Sequence, residues 1–214
     1  MDYLRLVLIY LAWAVLGAYA LAGLAAPQDD YQEGRRAYQR ADMGRAMSLL
    51  KKAADTGHAP AQALFGVVME KTGNNEEAVA YYRKAADQGD ADGQFSLGMM
   101  LMNGSGIKKD VSQARAWITR AAENGHVEAI NVLAEAHMRG ERGPFGAKPE
   151  PEQGLRWVRR AADNNYLPAV DYFARAYRSG APGVVADAKQ AERYEARAKK
   201  LRGVAAKPEP KTRK

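Results

Sequence analysis

The residues able to do acid–base or metal chemistry in this chain are few and scattered. It has three histidines, His58, His126 and His137, and no cysteine. The lack of cysteine removes thiol nucleophiles, thiolate metal sites and disulfides. His58 and His126 each follow a glycine, Gly57 and Gly125. The same setting used twice points to a structural or surface role rather than to a ligand. Asp87, Asp90, Asp92 and Gly93 offer the oxygens and the glycine of a calcium loop, but no glutamate completes a ligand set. No HExxH, GxSxG or GKS/T string and no paired-carboxylate motif occurs. No catalytic, cofactor-binding or metal residues are therefore assigned, and the chain is expected not to be an enzyme.

The elements that carry these residues repeat. An Ala-Ala pair recurs as Ala53-Ala54, Ala85-Ala86, Ala121-Ala122 and Ala161-Ala162, at spacings of 32, 36 and 40 residues, and a weaker fifth copy ends at Ala198. Each full pair is followed by an acid and a turn: Asp55-Thr56-Gly57, Asp87-Gln88-Gly89, Glu123-Asn124-Gly125 and Asp163-Asn164-Asn165. Seven residues before the first Ala stand Ala46, Ala78, Ala114, Gly154 and Ala191. Four before it stand Leu49, Tyr81, Trp117, Trp157 and Tyr194. These offsets share one helix face, so each unit has a helix with a bulky residue set between small ones. Asp42, Asn74, Asp110, Glu150 and Asp187 stand where the N-cap of that helix falls. Gly57, Gly89, Gly125 and Asn165 stand at its left-handed close.

A second helix follows each closure. Pro60, Asp92, Glu128 and Pro168 mark its first turn, and Ala61, Gly93, Ala129 and Ala169 come next. Phe65, Leu97, Leu133 and Phe173 lie four residues on, beside the small residues Gly66, Gly98, Ala134 and Ala174. In this frame His137 aligns with Met69, Leu101 and Tyr177 on a packing face. A single hairpin of this kind has no partner for its apolar faces, but stacked hairpins bury them together.

The stretch from Ala91 through Phe95 to Gly98, then Asn103 to Asp110, Ala114 to Trp117 and Ala121 to Gly125, resembles the Sel-1-like repeat, a relative of the tetratricopeptide repeat. The resemblance covers roughly residues 31–200. It implies an all-α, right-handed solenoid of stacked helix hairpins, about ten helices in pairs near 31–57, 59–89, 91–125, 127–165 and 167–200. It also implies protein–protein contacts and assembly, often in bacterial cell envelopes, and no catalytic residues. In such solenoids the helix side bearing residues 95, 99 and 102 lines a concave groove. The candidate partner-binding stripe is then Phe95, Met99 and Met102, followed by Asn131, Glu135 and Met138, and by Asp171, Arg175 and Arg178. An apolar, Met-rich patch grading into charge suits an adaptable peptide surface. Core burial of the same residues is the competing reading.

The ends differ from the body. Leu6 to Ala26 holds no charged residue, and these 21 residues are long enough to span a bilayer. Residues 1–26 are either a secretory signal, with Ala20-Leu21-Ala22 as its cleavage site, or an uncleaved membrane anchor that forms an apolar helix. Either way the solenoid, residues 27–201, is expected outside the cytoplasm, in the periplasm, in the extracellular space or anchored at the inner membrane. The net charge is +7, and residues 199–214 supply +6 of it. The body is thus near neutral and no specific nucleic-acid binder, and residues 202–214 read as a basic disordered tail open to anionic contacts. The longest connector, Gly140 to Pro151, contains Phe145, which either tucks onto the solenoid or meets something else. The expected function is a non-catalytic envelope adaptor with a protein partner. The alternatives are an envelope hydrolase and a cytosolic scaffold.

Overall fold

The computed structural model describes residues 27–140, 145 and 151–205. The candidate signal or anchor, Glu150 and the chain beyond 205 lie outside the described residues. Ten helices occur among the described residues. The first, α1, is helical over 27–39. It is followed by α2 (Met43–Asp55), α3 (Ala59–Lys71), α4 (Asn75–Asp87), α5 (Ala91–Asn103), α6 (Val111–Glu123), α7 (Val127–Arg139), α8 (Pro151–Asp163), α9 (Leu167–Ser179) and α10 (Ala188–Ala205). Eight of them, α2 to α9, are 13 residues long, so one hairpin module is reused with changes only in its connectors. The fold class is an all-α solenoid of stacked helix hairpins. No described helix is long and apolar enough to cross a membrane.

The expected punctuation is in place. Gly57, Gly89, Gly125 and Asn165 all have positive φ, between 63° and 91°. This is the left-handed close that glycine adopts freely and asparagine tolerates. Asp42 Oδ1 accepts from Arg45 N–H at 3.2 Å, and Asp187 Oδ1 accepts from Gln190 N–H at 3.0 Å. Asn74 stands at its cap position without a side-chain capping bond, and its Nδ2 donates instead to Thr72 Oγ1 at 2.9 Å. The residue after each closing glycine caps the next helix through its side chain, whereas Tyr166 after Asn165 makes no side-chain capping bond. Nδ1 of His58 and of His126 accepts from Ala61 N–H and Ala129 N–H, both at 3.2 Å, and Asp90 Oδ1 accepts from Gly93 N–H at 2.7 Å. The residues that suggested a calcium loop are therefore helix furniture. Asp87 ends α4, Asp90 caps α5 and Asp92 lies in its first turn.

The chain divides into two compact units at Asp110/Val111. The first holds α1–α5. Its core is Leu50, Phe65, Val68, Tyr82, Leu97 and Leu101. Gly66 makes room for Tyr82, because a Cβ at 66 would stand 2.6 Å from the ring. The Tyr82 hydroxyl donates to Glu70 at 2.8 Å. Two buried glutamines join consecutive hairpins. Gln62 Nε2 donates to the Ala54 carbonyl at 3.0 Å, and Gln94 Nε2 to the Ala86 carbonyl at 3.4 Å. Each adds a second donor to a last-turn carbonyl that already accepts the N–H of the closing glycine, Gly57 or Gly89.

The second unit holds α6–α10. Ile118, Ile130, Trp157, Val158, Val170 and Phe173 form its core. Around Phe173 gather Tyr172, Tyr177 and Tyr194, with ring centroids 5.3–5.8 Å from it. Phe145 tucks back and is buried, with the Arg115 guanidinium 5.8 Å above its ring. Trp157 is buried, but Trp117, its equivalent, is half-buried, with Arg120 4.6 Å from its ring centroid. Residues 202–205, which the sequence places at the start of the basic tail, continue α10 to Ala205. Arg202 holds that last turn down with bonds of 2.6 and 2.7 Å to the two Asp171 oxygens.

Candidate protein-interaction surfaces

In the first unit, α5 buries Gly93, Gln94, Leu97, Gly98, Met100 and Leu101. Phe95, Met99 and Met102 lie on the opposite side of that helix and are all half-buried. They therefore do not close into the core as Leu97 and Leu101 do. Met99 and Met102 are one turn apart and present unbranched, polarisable side chains, which adapt to irregular partners.

In the second unit the corresponding residues lie on α7 and α9. Asn131, Glu135, Met138 and Asp171 are half-buried, whereas Arg175 and Arg178 are exposed. Most of the charges are engaged. Glu135 pairs with Arg139 at 2.6 Å, Arg178 with Glu195 on α10 at 2.5 Å, and Asp171 with Arg202 as described. Asn131 Oδ1 is buried with no hydrogen-bond partner. On this unit the stripe is thus polar and partly locked by α10, unlike the apolar stripe on α5.

The histidines are structural in placement. Nε2 of His58 donates to Gln28 at 2.7 Å while Nδ1 accepts the Ala61 N–H, which specifies the neutral ring. Burial pushes its pKa below the ordinary imidazole value, against an opposing pull from Asp90. His137 sits edge-on to Tyr172, 6.2 Å between centroids, and burial lowers its pKa as well. Tyr81 Oη donates to Asp55 at 3.0 Å, and burial, then this bond, raises the phenol. The Lys51 bond in turn holds the Asp55 carboxyl below its usual range. Among the described residues no group of three or more His, Cys, Asp or Glu is placed to hold a metal.

One feature was missed by sequence reasoning. A cleft of about 570 Å³ opens between α8 and the turn at 180–184, lined by Glu152, Leu155, Arg156, Arg159, Pro182 and Gly183. The signal for it was two arginines three residues apart on one helix face. The frame drew attention to Trp157 instead.

The Sel1 repeat family model matches residues 17–58, 64–90, 91–126 and 127–166. DAP3-binding cell death enhancer 1 of Rattus norvegicus is 38% identical over 87 residues, which are 40% of this chain and 17% of that protein. The chain therefore matches under a fifth of that relative's length. The crystal structure of a Sel1 repeat protein from Oxalobacter formigenes superposes with a TM-score of 0.67 at 28% identity, covering 84% of this chain and 75% of that one. That of c5321, a protective antigen present in uropathogenic Escherichia coli strains and displaying an SLR fold, gives 0.62 at 26% identity, covering 85% and 40%. Sel1 repeat proteins generally mediate protein–protein interactions and are typically non-catalytic scaffolds. With four matched segments spread over most of its length, the chain belongs to the Sel1 repeat family.

Proposed function

We propose that this protein is a non-catalytic adaptor of a bacterial cell envelope that binds a protein partner through the stripe on its solenoid helices. The observation that carries the reading is the half-exposure of Phe95, Met99 and Met102 on a helix whose other side is fully buried. A helix face of this kind offers apolar area without needing it for the core. The rat relative is named for binding DAP3, which agrees with protein binding as the shared activity. Export or anchoring rests on the uncharged run Leu6 to Ala26, and the basic residues 199–214 add an anionic contact.

The test is crosslinking capture in the native host followed by Met99→Glu/Met102→Glu. Partner capture is expected to disappear while helicity and Tm stay nearly unchanged. An unfolded variant would place both residues in the core and remove the main support for the reading. N-terminal sequencing of the mature protein separates the ends: a start near Gly23 marks a cleaved signal, and an intact Met1 in the membrane pellet marks an anchor. An intact Met1 in the soluble cytosolic fraction overturns both.

A further inference from the structure

The cleft between α8 and the turn at 180–184 uses none of the stripe residues, and its chemistry is different. Arg156 and Arg159 are both exposed, and neither is ion-paired among the described residues. Both are nevertheless held. The Arg156 guanidinium lies 5.0 Å from the Trp157 ring centroid, and that of Arg159 lies 5.2 Å from the Phe173 centroid. Trp157 and Phe173 are core residues, so the two cations rest on fixed ring faces. A guanidinium lying over a ring keeps its N–H edge available for a planar anion.

The opposite wall is built as well. Ala181 N–H donates to Val184 at 3.0 Å and Val184 N–H donates back at 2.8 Å, closing the turn. Gly183 has φ +76°, and a Cβ there would stand 2.9 Å from Leu155 Cδ2. The rim is therefore specified by glycine, and Leu155 and Pro182 give the cleft an apolar lining. Glu152 completes it. Two arginines against one glutamate leave the cleft with one net positive charge, which matches a single carboxylate and disfavours a dianion. A volume of about 570 Å³ is in the range of small-ligand and peptide pockets.

We propose that this cleft is a second docking site, which takes one aspartate or glutamate side chain of a partner peptide between Arg156 and Arg159, with an aliphatic neighbour against Leu155 and Pro182. The carboxylate oxygens accept from the two guanidinium edges, and Glu152 accepts a peptide N–H.

The test uses the full chain and fluorescence polarisation of a labelled, end-blocked Gly-Leu-Glu-Leu-Gly peptide, with its Gln counterpart as control. The Glu peptide is expected to bind at least tenfold tighter than the Gln peptide, and less tightly as salt is raised. Arg156→Gln/Arg159→Gln is expected to remove that difference. Glu152→Gln, which leaves the aromatic stacking intact, is expected to tighten the Glu peptide several-fold. Arg160→Gln, which lies over Trp157 but does not line the cleft, is expected to change nothing. Equal binding of the two peptides, unchanged binding to the double-arginine variant, or displacement by inorganic phosphate at the concentration that acetate needs would overturn the proposal. Met99→Glu/Met102→Glu is expected to keep full peptide binding, so failure of the stripe and failure of the cleft read out separately.

Discussion

Gly154 lies directly beneath the His137 imidazole: a Cβ on residue 154 would stand 2.0 Å from His137 Nδ1. Four of the five repeats carry alanine at that frame position. The glycine is there because the His137 imidazole occupies the space that a Cβ would take. Gly154→Ala is therefore expected to destabilise the second unit by about 1–3 kcal/mol through overpacking, despite the gain in helix propensity. Chemical unfolding measures it. In a His137→Ala background the same change should become neutral or stabilising. A cost that persists there would mean that the ring is not what glycine accommodates.

The tryptophans should separate. Trp157→Ala removes a buried ring and is expected to cost about 3–5 kcal/mol. Trp117 is half-buried, so Trp117→Ala is expected to cost roughly half of that. Unfolding curves of the two variants check the order, and equal losses would contradict the difference in burial.

Acid should weaken the fold through two histidines. Burial lowers the pKa of His58 and of His137 in the folded state. The unfolded chain then binds more protons below the ordinary imidazole pKa, near 6.5. The stability these rings contribute is present above that pH and is lost as pH falls through the folded values. The Tm is expected to fall between pH 7 and pH 5. His58→Asn keeps a good cap without a titrating ring and should reduce that fall. If the pH dependence is unchanged in this variant, the neutral-ring assignment at His58 is wrong.

Arg197 offers a test of how the last helix is fastened. It donates to the Ala162 carbonyl at 2.5 Å, to the Asp163 carbonyl at 3.1 Å and to Asn165 Oδ1 at 2.8 and 3.1 Å. Arg197→Ala removes these bonds at the end of α8 and is expected to cost about 1–3 kcal/mol. Amide exchange near Ala162–Asn165 should speed up, whereas Arg193→Ala, an exposed neighbour, should leave it unchanged.

The helix boundaries were legible in the sequence because they are set by local chemistry. Gly57, Gly89, Gly125 and Asn165 terminate helices through their own φ, and Asp42 and Asp187 cap them across three residues. The small and bulky faces were legible because helical spacing alone sets which residues align. What the sequence left open depends on groups far apart in the chain. His58 repeats the position of Asp90, and only the fold shows that both serve as caps. Trp117 and Trp157 are identical in frame, and their burial differs with what their neighbours leave uncovered. Gln62 and Gln94 look like surface polar residues, yet both are buried and donate to carbonyls eight positions back. Arg202, in the last turns of α10, pairs with Asp171, 31 residues before it. The cleft at Arg156 and Arg159 exists only because a glycine turn from beyond α9 folds back across α8. Capping and periodicity act within a few residues and are written locally, whereas burial, ion pairing and clefts are set by which distant segments meet.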